Sequence, residues 1–253
     1  MYILNAQYRQ AIEFINRQEP TKDLLYQKVI CCKYLNDYST AIEILNAFVY
    51  YNLNSYDIAI ERFEKCLQQG DSSLIVNRSL GFSYFLTEKD SLAHPFLQQA
   101  FLQDTTNTNV LYILGKVNFK LGYYPEAAEC FVNLVEKIVP SRVLLFSVYK
   151  ELALAYEKNG TFEEASRAYN SALNYAKDNK DNMELYFSMA TITDKELKNT
   201  MLAVYYYKEY RRCLFNYQSS LTDEKEIDEI EFKLTALDEY IRLLTEEEMK
   251  KKN

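Results

Sequence analysis

A pattern of small and bulky residues recurs along this chain and restricts it to a stack of similar helical units. The clearest copy, LGKVNFKLGYYPEAAECFVNL, starts at Leu114. LGFSYFLTEKDSLAHPFLQQA starts at Leu80 and LALAYEKNGTFEEASRAYNSA at Leu152. Each opens with Leu followed by a small residue: Gly81, Gly115 or Ala153. A second small residue stands 12 positions later, at Ala93, Ala127 and Ala165, and a bulky one 4 further on, at Leu97, Phe131 and Tyr169. Residues at i, i+3, i+4 and i+7 share one helix face, so each copy predicts a short helix, a tight turn and a second helix. The small residues let two helix backbones approach at their crossing, and the bulky ones fill the grooves beside it. One such hairpin cannot bury its apolar face alone, whereas stacked hairpins share a continuous core.

With the small residue of the second helix as a marker, the series is Ala11, Ala41, Ala59, Ala93, Ala127, Ala165 and Ala203, at spacings of 30, 18, 34, 34, 38 and 38. A 34-residue period with Leu-Gly, Tyr, Ala and Phe/Tyr in this order resembles the tetratricopeptide repeat. The resemblance covers about residues 3–217 and rests on three consecutive matching units. The Trp often found early in that repeat is absent; Leu25, Leu111 and Tyr149 hold comparable places. LYFSMATITDKELKNTMLAVYYYKEY is similar to a late repeat of bacterial members, with a longer turn at Leu197–Asn199. The resemblance implies an all-α fold: a right-handed superhelical solenoid of antiparallel helix hairpins over residues 1–220, closed by a C-terminal capping helix over 221–253.

The departures from 34 have local readings. Pro140 stops the helix before it, and Ser141 is placed to cap an extended helix after it. The second spacing of 38 reflects a longer helix or connection near Asp178–Asn182. The spacing of 18 from Ala41 to Ala59 falls 16 short of 34. Either a deletion has fused two helices into one at residues 38–51, or a segment is missing between Phe48 and Val49. The second is preferred, because stacked repeats tolerate loss of half a unit poorly. At the N-terminus YRQAIEFINRQ reads as a second helix, leaving Met1–Ala6 for its partner. The first repeat is therefore expected to be truncated, and oligomerisation through that end is an expectation.

At the C-terminus Thr222 or Asp223 is placed to cap a helix running to about Met249. Ile227, Ile230, Leu234, Leu237, Ile241 and Leu244 form one apolar stripe. Glu224, Glu226, Asp228 and Glu229 suit the positive end of its dipole. A coiled-coil dimer helix is the alternative, for which the stripe is short.

Composition narrows the function classes. Gly and Pro total 9 in 253 residues, few turn signals for an all-β fold. No apolar run of 18 residues offers a membrane span, and no basic-then-apolar leader opens the sequence. The compartment stays open between cytoplasm and export with a removed signal. The net charge of −7 opposes nonspecific nucleic-acid binding. Cys31, Cys32, Cys66, Cys130 and Cys213 form no CxxC pair and read as buried free thiols. The single histidine, His94, stands beside Pro95 with no His at i+4 and no adjacent nucleophile. No phosphate loop and no catalytic constellation is found, so no enzyme activity, no metal and no cofactor is expected.

The informative excess is aromatic: 23 Tyr and 14 Phe without a Trp. First helices of tetratricopeptide proteins line the concave face, so the resemblance places Tyr26, Arg78, Phe82, Phe85, Tyr112, Lys116, Phe119, Lys120, Lys150 and Lys158 on or near it. The alternative is inter-repeat packing for the rings and a solvated face for the lysines. A groove of this kind, aromatic and locally basic, suits a protein or peptide segment with acidic residues. The Lys/Asn/Arg carboxylate clamp of some family members is not reproduced at the matching positions. The expected function is a protein–protein interaction scaffold, with a structural subunit contacting partners through its solenoid ends as the alternative.

Overall fold

The structure, a computed structural model, describes residues 2–16, 22–35, 37–137 and 142–251, and omits the side chains of 2–6, 16, 22–26, 38 and 251. Among the described residues thirteen helices and no strand follow one another. They are α1 (Tyr2–Asn16), α2 (Lys22–Tyr34), α3 (Tyr38–Asn52), α4 (Tyr56–Gln68), α5 (Leu74–Leu86) and α6 (Asp90–Gln103). Then come α7 (Thr108–Lys120), α8 (Tyr124–Lys137), α9 (Arg142–Lys158) and α10 (Phe162–Leu173). The last are α11 (Asn179–Lys195), α12 (Thr200–Gln218) and α13 (Glu224–Lys251). The chain divides into two compact units, Met1–Cys130 and Phe131–Asn253, with the division inside α8.

The hairpin turns carry the repeat more legibly than the helices do. Asn54, Glu88, Gly122, Gly160 and Lys198 all have positive φ, at spacings of 34, 34, 38 and 38. Each follows a first helix and precedes by 5 residues the marker alanine of the second: Ala59, Ala93, Ala127, Ala165 or Ala203. At Glu88 the amide N–H donates to the Phe85 carbonyl at 3.1 Å and the next, Lys89, donates to Tyr84 at 2.9 Å. The same pair of bonds recurs at Gly122/Tyr123 and at Gly160/Thr161. This crossed pair satisfies carbonyls that a helix end would otherwise leave bare. The turn at Lys198 is one residue longer, with Asn199 donating to the Thr193 carbonyl and capping α12 through the Leu202 amide.

All five marker alanines from Ala59 onward are fully buried on even-numbered helices. Their bulky partners Phe63, Leu97, Phe131 and Tyr169 are almost equally enclosed. Gly81 shows why the first helix needs a small residue too. A Cβ built there would lie 2.8 Å from the Leu97 side chain and 3.2 Å from its backbone nitrogen. The 38-residue periods also have a visible cause. Helices α5 and α7 have 13 residues whereas α9 and α11 have 17. Four residues are close to one 3.6-residue turn, so the insertion lengthens the helix without rotating its buried face away. Pro140 and Ser141 lie outside the described residues.

Two sequence expectations change in the N-terminal unit. Helix α3 runs without a break through Phe48 and Val49, so the short spacing falls within one helix. It packs against α2 on one side and α4 on the other, serving two neighbours at once. Ala41 consequently sits on a first helix of the α3–α4 pair, out of phase with the later markers. Tyr2–Ala6 form no separate partner helix; they belong to α1, which pairs with α2. Pro95 lies at the sixth residue of α6, beyond the amides that lack helical partners, and so removes one internal hydrogen bond.

In the C-terminal unit, α13 begins where expected. The Asp223 carboxylate accepts from the Lys225 and Glu226 amides at 2.9 and 3.2 Å, a helix-start cap. Ile230, Leu234, Ile241 and Leu244 are buried against α11 and α12, through Leu214 at one end and Ala190, Ala203 and Tyr207 at the other. Arg211 of α12 holds Asp238 of α13 with two guanidinium nitrogens.

Candidate partner-binding site

Helices α5 and α7 are the first helices of consecutive hairpins and lie against each other. Leu74, Ala100 and Val110 anchor them through α6, with Phe82 and Phe101 packed on that cluster. The core consumes nearly every side of α5. One stripe is left, Arg78, Phe82, Phe85 and Leu86, at spacings of 4, 3 and 1. On α7 the corresponding stripe is Asn109, Tyr112, Ile113 and Lys116. Phe82, Phe85 and Leu86 face Asn109, Tyr112 and Ile113 across an open cleft of about 220 Å³. Its wall is almost wholly apolar, with the Asn109 amide and the Tyr112 hydroxyl the polar groups on the side chains lining it.

Three cations from the same two helices sit on the rings of this cleft. The Arg78 guanidinium lies 6.0 Å from the Phe82 centroid, Lys116 Nζ 5.6 Å from Tyr112, and Lys120 Nζ 5.0 Å from Phe85. A cation over a ring face is held by the ring quadrupole, at about 0.5–1 kcal/mol when exposed. Lys120 also pairs with Asp90 at 3.1 Å. Arg78 is felt next door on α3, where burial and the nearby Tyr56 hydroxyl raise the Tyr51 pKa and the guanidinium pulls it back.

Six of the expected groove residues, Arg78, Phe82, Phe85, Tyr112, Lys116 and Lys120, thus form one constellation. Phe119 does not line the cleft; its ring meets Tyr124 edge-on at 5.5 Å, across the α7–α8 turn. Lys150 belongs to the other unit, where it pairs with Glu184 at 2.7 Å. Lys158 is exposed in the last turn of α9. The Tyr26 side chain lies outside the described residues. Sequence reasoning missed Leu86, Asn109 and Ile113. Their signal was present, since each stands within helical reach of a residue already singled out.

A larger open cleft in the C-terminal unit, about 420 Å³, is lined by Arg142, Val143, Phe146, Tyr175, Lys177 and Asp181. Two of its polar side chains are already engaged. Arg142 donates to the Tyr175 and Ala176 carbonyls at 3.5 and 3.3 Å, and Asp181 accepts from the Lys177 amide at 3.0 Å.

All five cysteines are free and buried. Burial raises every one of their pKa values, to about 11 at Cys32 and Cys130 and about 12 at Cys66. They are therefore thiols, poor nucleophiles at neutral pH. His94 is half-buried, its ring 5.5 Å from that of Tyr123. Among the described residues no cluster of His, Cys, Asp or Glu is placed to hold a metal ion. None of the described helices is long and apolar enough to cross a membrane.

Known proteins supply a frame for this geometry. A tetratricopeptide repeat family signature matches residues 147–179, the α9–α10 hairpin and its exit. No curated protein matches the sequence. Among solved structures, MamA aligns with a TM-score of 0.59 at 20% identity, over 73% of this chain and 96% of its own. YrrB, described as a TPR protein with an unusual peptide-binding site, aligns with a TM-score of 0.56 at 16% identity, over 66% of this chain and 82% of its own. At such identities the likeness concerns the fold. The turns, the marker alanines and these alignments agree: the chain is an all-α solenoid of the tetratricopeptide-repeat type.

Proposed function

We propose that this protein is an interaction scaffold that holds a segment of another protein in the cleft between α5 and α7. In this reading residues 1–220 are the working repeat array and 221–253 its cap. The observation that carries it is the cleft itself, where Phe82, Phe85 and Tyr112 leave an apolar wall unfilled beside three cations. Rigid aromatics give contact area at little entropic cost, and Arg or Lys gives charge complementarity. The description of YrrB as a peptide-binding TPR protein is in keeping with this role. The test compares wild type with Phe85→Ala as baits in native cell extract, quantifying co-eluting proteins by mass spectrometry. A set of proteins lost from the variant, with its urea midpoint little changed, supports the reading. An unchanged set overturns it.

A second reading, a structural subunit held by other surfaces, is favoured by α3. Ile42, Leu45 and Val49 on it and Leu53 just past its end recur at spacings of 3, 4 and 4 and are all exposed. Light scattering over a range of concentrations tests it. Self-association abolished by Val49→Lys supports this reading, and a strict monomer counts against a second copy as the partner.

A further inference from the structure

We infer that the exposed face of α3 is a repeat-stacking face without a neighbour in its own chain, and that a second copy covers it, α3 lying antiparallel against α3. This rests on the structural-subunit reading and names its partner and geometry. The left-handed turn residues Asn54, Glu88, Gly122 and Gly160 set a common register for α3, α5, α7 and α9. At 5 residues before them stand Val49, Ser83, Val117 and Ala155, and at 12 before them Ile42, Val76, Val110 and Val148. On α5, α7 and α9 these positions are all 0% exposed, whereas on α3 Val49 is 53% and Ile42 55% exposed. Helices α5 and α7 each pack against the second helix of the preceding hairpin, α4 or α6. Only three residues separate α2 from α3, so no second helix stands between them to play that part. Leu45, and Leu53 just past the helix end, extend the uncovered stripe to four residues.

The chemistry of the stripe selects its occupant. Its four side chains carry no polar atom, and the acid beside it on the helix, Glu43, pairs with Arg62 of α4 at 3.6 Å. A charged partner gains no ion pair here, and the core of an interface is depleted of charge. A second copy brings the same uncharged stripe at the same spacing. Laid antiparallel, Leu45 meets Val49 of the second copy and Ile42 meets Leu53 of the second copy. A two-fold axis repeats both contacts, so one pairing covers both faces and closes the assembly at a dimer. Steps of 3 and 4 residues form the ridges that such helix crossings interdigitate. The patch is on the order of 400 Å² per copy, about half of the roughly 800 Å² that each partner of a stable complex buries. The pair is therefore weak and dissociates on dilution. The net charge of −7 on each copy adds a repulsion that salt screens.

Sedimentation velocity of the full-length protein over roughly 5–500 µM tests the pairing. A monomer–dimer equilibrium with a dissociation constant of roughly 10–100 µM is expected, tightening with added salt. Val49→Lys should weaken it about tenfold or more with the urea midpoint unchanged. Leu102→Lys, at a leucine of α6 that is 69% exposed, should leave it as it is. Orientation is read by crosslinking. Leu45→Cys and Val49→Cys copies, mixed and treated with a short bismaleimide, should join to each other faster than either joins to itself; the five native cysteines are buried and do not compete. Equal rates, or a dimer that Val49→Lys leaves intact, overturn the inference. A strict monomer overturns it too. If that monomer loses proteins from cell extract on Val49→Lys, the structural-subunit reading stands with another protein as occupant; if it loses none, both fall.

Discussion

Helices α3 and α5 both open a hairpin, yet their surfaces are disposed of very differently. Helix α5 buries Leu74, Ile75, Val76, Leu80, Gly81 and Tyr84, together with Asn77, Ser79 and Ser83, on almost every side. What remains exposed on it is one aromatic and cationic stripe. Helix α3 buries Ala41, Ile44 and Ala47 but leaves Ile42 55%, Leu45 44% and Val49 53% exposed, with Leu53 at its C-terminal cap 66% exposed. The difference follows from their origins. Helix α5 has the sequence of a first helix alone. Helix α3 joins the end of one second-helix pattern to the end of a first-helix pattern, and so brings more apolar faces than its neighbours can cover. An insertion of one full turn, as in α9 and α11, leaves the register intact; a spacing 16 residues short of the period does not.

The contrast can be strained at several points. The largest effect is expected at Lys28, in α2 beside the fused helix. Its ammonium is 2% exposed and reaches Asp71 at 2.8 Å and Ser73 at 3.1 Å, tying α2 to the α4–α5 loop. Lys28→Ala strands a nearly buried carboxylate and should cost about 3 kcal/mol in urea unfolding. A loss under about 1 kcal/mol would mean that the irregular region depends little on this tie. Next is Gly81→Ala in the regular region. Alanine is the better helix former, but its Cβ meets Leu97, so a net loss of about 2 kcal/mol is expected. A gain would show that α5 and α6 have room to part. Smaller and opposite in sign is Glu88→Gly. Glu88 has φ 59°, and glycine should relieve about 1 kcal/mol of left-handed strain, read as a rise in the thermal midpoint. Smallest is Leu45→Gln on the exposed face of α3, within about 0.5 kcal/mol for a free surface. A larger loss that grows with protein concentration would reveal that this face is covered in solution.

Much of the fold was legible because the repeat forces the same small residue into the same crossing. Ala93, Ala127 and Ala165 could be aligned by eye, and all three are fully buried. The Asp223 cap and the stripe of α13 followed from spacing alone. The turn register was less legible. Gly122 and Gly160 announce a left-handed residue, but Asn54, Glu88 and Lys198 occupy the same position without advertising it. The candidate site was half legible. Helical spacing brought Phe82, Phe85 and Tyr112 forward. It gave no means to separate them from Phe119, which turns toward Tyr124, or from Lys150, which answers Glu184.

From α4 onward the sequence by itself determined the helices, their pairing into hairpins and the positions of the close crossings, since these depend on neighbours within about 34 residues. Only the tertiary structure decided that α3 is one helix shared by two neighbours, and that three of the singled-out side chains line one cleft while three more lie over their rings. Local spacing states which face of a helix a residue occupies. Which of those faces the next helix covers, and which it leaves to a partner, depends on packing between elements that the spacing does not record.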